Sequence, residues 1–311
     1  MNVATLALNP SLDVSYTIPS LIANQKAHAS KFRYDPGGNS INVAKGLQTL
    51  GIEVHVFAII PGDIGNFVKQ LLANHLDHWH AITVAGETRV NMTILTDKPS
   101  LQYEVDGIGP VIGPRPLKEL TEEFVSHCRN GVGVLSGSIP PGVHRNIYAH
   151  LSKQLTDNSA RAVVDAQSSL LQASLSAGPY LIKPNKYELE TLFGITLPTL
   201  QDVVREAGIL HKEGVANVCV SIDREGAVLV ADGGTYYARP PEVPVISTVG
   251  SGDSMVAGLL AGLMKGASAG EALRLGVACG TATATKPGTQ MFSYADVEKL
   301  LPAITVERIE G

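Results

Sequence analysis

The densest chemistry in this 311-residue chain lies at Ser247-Thr-Val-Gly250-Ser251-Gly252-Asp253-Ser-Met255. There a proline-punctuated run, Arg239 to Ile246, meets a glycine turn and then an apolar stretch suited to a helix. Backbone N–H groups at such a turn converge with the helix dipole on one point, so Gly250, Ser251 and Gly252 offer a site for an anion. Asp253 would stand in the first helical turn beside it, where a carboxylate can take a proton from an attacking hydroxyl. Asp is also a favoured residue at helix starts, and the fragment alone leaves both roles open.

Other segments have the same strand-to-turn-to-helix character. In Gly37-Gly38-Asn39-Ser-Ile-Asn42-Val-Ala-Lys45 the glycines permit close backbone approach to a ligand, and the Asn42 amide both donates and accepts. Asn9-Pro-Ser-Leu-Asp13 closes the first apolar run, and Asp13 there could hold hydroxyl groups or simply form the turn. Asn185 and Glu188 of Lys183-Pro-Asn185-Lys-Tyr-Glu188 share a helix face. They could hold a hydrated Mg²⁺ or serve as an N-cap and its capping-box partner. Arg89 of Thr88-Arg89-Val-Asn91 could grip a phosphate by its planar fork, or be a solvated edge-strand side chain.

The elements that must position these residues follow from hydrophobic patterning. Apolar runs at Val3 to Leu8, Val54 to Ile60, Gly133 to Leu135, Ala162 to Val164, Tyr180 to Ile182, Val218 to Ile222 and Ala227 to Val230 read as strands buried on both faces. Helical spacing intervenes at Ser40 to Leu50, which stops at Gly51, and Ser268-Ala-Gly-Glu271 is a capping box before a later helix. The alternation predicts an α/β fold with a mainly parallel sheet, as one domain over residues 1–311. Residues 12–36 and 86–110 break the pattern: Val90, Met92 and Ile94 alternate with polar residues, and Tyr103 and Val105 follow. Such period-two strands have one wetted or partner-covered face, so these segments are expected to leave the core as a small β-sheet lid.

A formal net charge of −5 gives no field for nucleic acid or an anionic membrane, so an anionic ligand must be held locally. Cys128, Cys219 and Cys279 lie far apart in apolar stretches, which suits a reduced, cytoplasmic protein without disulfides or a zinc framework. No basic leader precedes the first apolar run, and Met255 to Met264 is half a membrane span, so neither export nor membrane insertion is expected. The chain has no GxxxxGK[ST] loop, and the glycines at Gly131, Gly133 and Gly137 have the wrong spacing for a dinucleotide fingerprint. His75, His78 and His80 surround Trp79 with only Asp77 as a nearby carboxylate, a pattern expected of a solvated helix end rather than a metal site.

Together the motifs resemble the PfkB, ribokinase-like, carbohydrate kinases. The closest branch is that of 1-phosphofructokinase, tagatose-6-phosphate kinase and the minor bacterial 6-phosphofructokinase. The resemblance runs through Leu8 to Asp13, Gly38 to Lys45, Thr88 to Asn91, Leu135 to Gly142, Lys183 to Asn185 with Glu188, and Ser247 to Met255, in the family's order. It implies a ribokinase-like three-layer core with the small β lid, often paired between two subunits of a homodimer. It implies ATP and Mg²⁺, leaves room for a monovalent cation, and makes fructose 1-phosphate the leading substrate, with fructose 6-phosphate or tagatose 6-phosphate next. Under it Asp253 is the catalytic base and Gly250, Ser251 and Gly252 form the anion hole. Asn185 and Glu188 organise Mg²⁺, Lys183, Ser221 and Gly288 serve the nucleotide, Asp13, Gly38 and Asn42 hold sugar hydroxyls, and Arg89, Ser138 and Lys26 serve the substrate phosphate. A sugar-phosphate sensor without catalysis is the alternative from another class, and the retained Asp253 beside an anion hole argues against it. The sequence departs from the family pattern at Ser251, where Ala is usual, at Asp223, where Gly is usual, and at Asn39, where the 1-phosphofructokinases usually carry Lys.

Overall fold

The computed structural model describes residues 1–310, with Ser168 in backbone only. In chain order, β1 (Val3–Ala7), β2 (Ser11–Ile18) and β3 (Lys31–Gly37) precede α1 (Asn39–Thr49), β4 (His55–Ile59), α2 (Gly62–Leu72) and β5 (His78–Ile82). Next come β6 (Arg89–Thr96), β7 (Leu101–Val105), α3 (Pro114–His127), β8 (Val132–Ser136), α4 (Ile147–Asp157), β9 (Arg161–Asp165) and α5 (Ser168–Leu175). The rest are β10 (Leu181–Ile182), α6 (Lys186–Phe193), α7 (Leu200–Lys212), β11 (Asn217–Ser221), β12 (Ala227–Ala231), β13 (Gly234–Arg239), α8 (Ser251–Met264), α9 (Ala269–Ala284), α10 (Tyr294–Leu300) and β14 (Thr305–Ile309).

The strands form a 10-stranded sheet in the order β14-β13-β12-β11-β10-β9-β8-β1-β4-β5 and a separate 4-stranded sheet in the order β3-β2-β6-β7. From β11 to β5 all neighbours are parallel, and β12 to β14 extend one edge antiparallel. Alternate residues of the parallel strands feed opposite cores. Val3 and Ala7 of β1 join the layer of α1, α8 and α9, whereas Ala4 and Leu6 join that of α3, α4 and α7. This two-sided burial is why those strands read as continuous apolar runs.

The expected small sheet is present, and its two faces divide by chemistry. In β2, Ser11, Asp13 and Ser15 pair with Arg89, Asn91 and Thr93 of β6, while Leu12, Val14 and Tyr16 pair with Val90, Met92 and Ile94. A period of two thus turns one face polar and the other apolar.

One sequence expectation is corrected. His78 and His80 lie not at a helix end but on β5, the outer strand of the large sheet, paired with His55 and Phe57 of β4. Charged and aromatic side chains on a half-covered edge strand blurred the apolar signal that marks the inner strands.

Candidate active site

The site gathers at the carboxyl ends of β1, β8, β9, β10 and β11, where an open parallel sheet presents its crevice. Gly250, with φ at +76°, turns the chain into α8 in the left-handed region that glycine enters without strain. The Ser251 N–H is taken by the Thr248 carbonyl at 3.2 Å, and Ser254 N–H returns to Gly250 O at 2.9 Å. Gly252 and Asp253 are left with backbone donors that meet no acceptor among the described residues. Of the three residues expected to form an anion hole, Ser251 spends its backbone donor on the turn, whereas Gly252 keeps its donor and Asp253 adds another. The Ser251 hydroxyl, an addition to the family's usual Ala, is buried without a partner.

Asp253 is the only residue in the first turn of α8 with a carboxylate, and it is buried to 4% exposure. Its Oδ1 accepts from Asn39 Nδ2 at 2.9 Å and its Oδ2 from Asn42 Nδ2 at 2.9 Å. Burial, reinforced by the negative charge of Asp165, outweighs these hydrogen bonds and the attraction of Lys183, pushing the carboxyl up to about 7. A carboxylate so placed is a far stronger base than a solvated one and is about half ionised at neutral pH. Asn42, expected to hold sugar hydroxyls, gives one amide N–H to this carboxylate; Asn39 does the same, a role the sequence did not suggest.

Lys183 stands under the hole. A methyl group built on Gly252 would sit 3.2 Å from Lys183 Nζ, so the glycine is what lets the ammonium approach the turn. Lys183 Nζ lies 3.4 Å from Asp165 Oδ1. Burial acts to neutralise this lysine, yet Asp165, Glu188 and Asp253 together hold its pKa above the ordinary value, so the cation persists. Asp165 ends β9 and was passed over in the sequence; a polar residue closing a doubly buried strand was the available signal.

Beyond Lys183, Asn185 and Glu188 form the capping box of α6: Glu188 N–H donates to Asn185 Oδ1 and Asn185 N–H to Glu188 Oε2, both at 2.8 Å. The structural role is thus real, and it leaves Glu188 Oε1 free; burial raises the Glu188 pKa. Ser221 bridges to Asn185 at the end of β11, closing this side of the crevice. Asp223 is exposed with φ at +44°, the left-handed conformation that suits the glycine usual in the family.

On the opposite side of Asp253, a small cavity is lined by Gly38, Asn39, Arg89, Gly137 and Ser138. Arg89 is buried and donates through Nε to Asn9 O at 3.0 Å, which orients the guanidinium fork, and Asn9 Nδ2 donates to Ser138 Oγ at 3.0 Å. Burial lowers the Arg89 pKa without removing its charge. Asp13 accepts from Ser11 Oγ at 2.6 Å and from Asn91 Nδ2 at 3.1 Å, and burial raises its pKa against the pull of Ser11, Lys45 and Arg89. Gly37 packs directly on the Asp13 carboxylate.

Lys26 and Gly288 are not brought into this group. Lys26 is exposed in the connection between β2 and β3 and makes no polar contact with the site. Gly288, expected on the nucleotide side, packs on Ser15 of β2. A buried Lys45, near Asp13, Asp35 and Asp253, ties α1 to the polar face of the small sheet and went unnoticed in the sequence.

Residues 11–295, which carry all of these groups except Asn9, match the pfkB family carbohydrate kinase model. The chain belongs to that family. It is 32% identical to the 1-phosphofructokinase of Bacillus subtilis (strain 168) over 98% of this chain and 99% of that protein. It is 31% identical to the ATP-dependent 6-phosphofructokinase isozyme 2 of Escherichia coli (strain K12), covering 96% of this chain and 98% of the relative. Phosphofructokinase-2 from Escherichia coli, solved in complex with substrates and products, superposes with a TM-score of 0.94 at 30% identity, over 97% of this chain and 99% of that one. The fold is the α/β fold of the family, the mostly parallel sheet and small separate sheet included. As a carbohydrate kinase of this family it transfers phosphoryl groups from ATP to a sugar.

Proposed function

We propose that this pfkB kinase uses ATP and Mg²⁺ to phosphorylate a free hydroxyl of fructose 1-phosphate, giving fructose 1,6-bisphosphate. The observation that carries the chemistry is Asp253, buried, held at both oxygens by amides and adjacent to unpaired backbone donors. Asp253 accepts the proton of the sugar hydroxyl as its oxygen bonds to phosphorus and the bond to the leaving phosphate oxygen breaks. The Gly252 and Asp253 N–H groups and the Lys183 ammonium are placed to take the negative charge of the transferring group. Glu188, through its free oxygen and bound water, suits Mg²⁺, which neutralises phosphate charge when present. Arg89 and Ser138 hold the substrate phosphate in the cavity beside Asn39, and Asp13 orients hydroxyls.

The small sheet acts as a lid shared in a homodimer. Its apolar face leaves Phe32 at 66%, Tyr103 at 39% and Val105 at 60% exposure, beside half-buried Met92 and Ile94. A sheet with such a face is stabilised by pairing with a second copy, and closure would also keep water from the phosphoryl group. Free, buried Cys128, Cys219 and Cys279 suit a reducing, cytoplasmic setting.

A coupled assay comparing fructose 1-phosphate, fructose 6-phosphate, tagatose 6-phosphate and fructose, with and without K⁺, tests the assignment. The highest kcat/KM is expected for fructose 1-phosphate. A higher value for either 6-phosphate would overturn the substrate while leaving the kinase chemistry in place.

A further inference from the structure

At the opposite end of the large sheet from Asp253, β4 and β5 begin with His55 and His78, which are direct partners in the parallel ladder. Their imidazole rings stack at 4.5 Å with planes only 7° apart, and His127 at the end of α3 packs on His55 at 4.3 Å. Glu53, in the connection from α1 to β4, turns its carboxylate toward both rings. Glu53 Oε1 lies 3.7 Å from His55 Nε2 and 3.9 Å from His78 Nε2, and the three ligand atoms fall within 4.8 Å of one another.

These separations are too long for hydrogen bonds. Around a tetrahedral Zn²⁺ with bonds of about 2.0–2.1 Å, neighbouring ligand atoms stand about 3.4 Å apart, so both Glu53–histidine separations exceed that spacing by only a few tenths of an ångström, and the half-exposed His78 ring would turn out of the stack to aim its nitrogen at the same ion. Two nitrogens and one carboxylate oxygen select a late first-row cation over Mg²⁺ or Ca²⁺. Neighbouring His80 is engaged otherwise, 2.9 Å from Glu123 Oε2.

We propose that Glu53, His55 and His78 form a binding site for one Zn²⁺-type cation, with water in the remaining position. The cation would clamp the outermost strand β5 to β4 and to the connection that precedes it. A cation that binds only the folded chain raises its stability, and here it would do so where the sheet is least covered.

The sequence could not show this site, because Glu53 and His55 meet His78 only through the ladder. The test is a Zn²⁺ titration of the chelator-treated full-length protein by calorimetry, with Mg²⁺ in excess to mask oxygen-rich sites, together with melting curves. One saturable equivalent and a raised Tm are expected. His78→Ala and Glu53→Gln should each lose the Tm rise and weaken binding by more than the roughly 10–100-fold that an outer-sphere loss costs. His80→Ala should retain both, and kinase activity measured with Mg²⁺ and without Zn²⁺, unchanged in all three variants, shows that each is folded. Absence of a saturable equivalent, equal affinity in His78→Ala, or its loss in His80→Ala would overturn the proposal.

Discussion

Replacing Asp253 by Asn removes the base while keeping its size, and the structure gives the change two opposite signatures. Turnover should fall by at least about 100-fold, the scale of general-base loss, with sugar and nucleotide binding nearly kept. Stability should move the other way. A carboxyl carried from 3.8 to about 7 by burial and Asp165 binds its proton more tightly folded than unfolded, so stability declines as pH rises between those values. At pH 8 the cost of keeping Asp253 ionised is on the order of 4 kcal/mol, at about 1.4 kcal/mol per pH unit. Asn escapes that cost, but its amide can accept from only one of Asn39 and Asn42, and the unmatched donor takes back about 1–2 kcal/mol. Denaturant unfolding of both proteins at several pH values should therefore show the variant more stable by roughly 2–3 kcal/mol at pH 8. The gain should shrink toward pH 4. An equal stability difference at pH 5 and pH 8 would refute the raised base, and turnover above about a tenth of the parent's would show that another group takes the proton.

The other expectations are narrower. The parent's kcat should rise with pH through an apparent value near 7 as Asp253 ionises; Asn39→Ala, which removes one donor to its carboxylate, should move that inflection upward, and an unmoved profile would exclude the coupling. Arg89→Ala should raise the KM for the sugar phosphate by roughly 10–100-fold through loss of a charge-assisted contact while the KM for ATP changes little, and a parallel rise in both would point to a folding defect. Met92→Asp, on the apolar face of the small sheet, should weaken the dimer and raise the sugar KM together; a fully active monomer by light scattering would refute the shared lid.

The sequence by itself determined the elements whose residues are buried on both sides or fixed by local backbone geometry. Val3 to Leu8 and Val218 to Ile222 could be read as inner strands because all positions but Thr5 and Ser221 are apolar, and Ser268 with Glu271 marked a helix start because the capping box is local. The turn into α8 was legible for the same reason: glycine, then an acid, at the end of an extended run. Tertiary structure decided which of these local features meet. Asn39 and Asn42 lie more than 200 residues from Asp253, and only the packing of α1 on α8 turns both amides onto its carboxylate. Asp165 acquires its influence on the base from the order of β9 and β10 in the sheet, and Gly288 is drawn to Ser15 because the small sheet folds back over the chain after α9. Burial, which carries the Asp253 carboxyl to about 7, is likewise a property of the assembled layers. Hydrophobic period and capping are written within a turn or two of chain, whereas desolvation and side-chain pairing depend on neighbours that only the closed fold supplies.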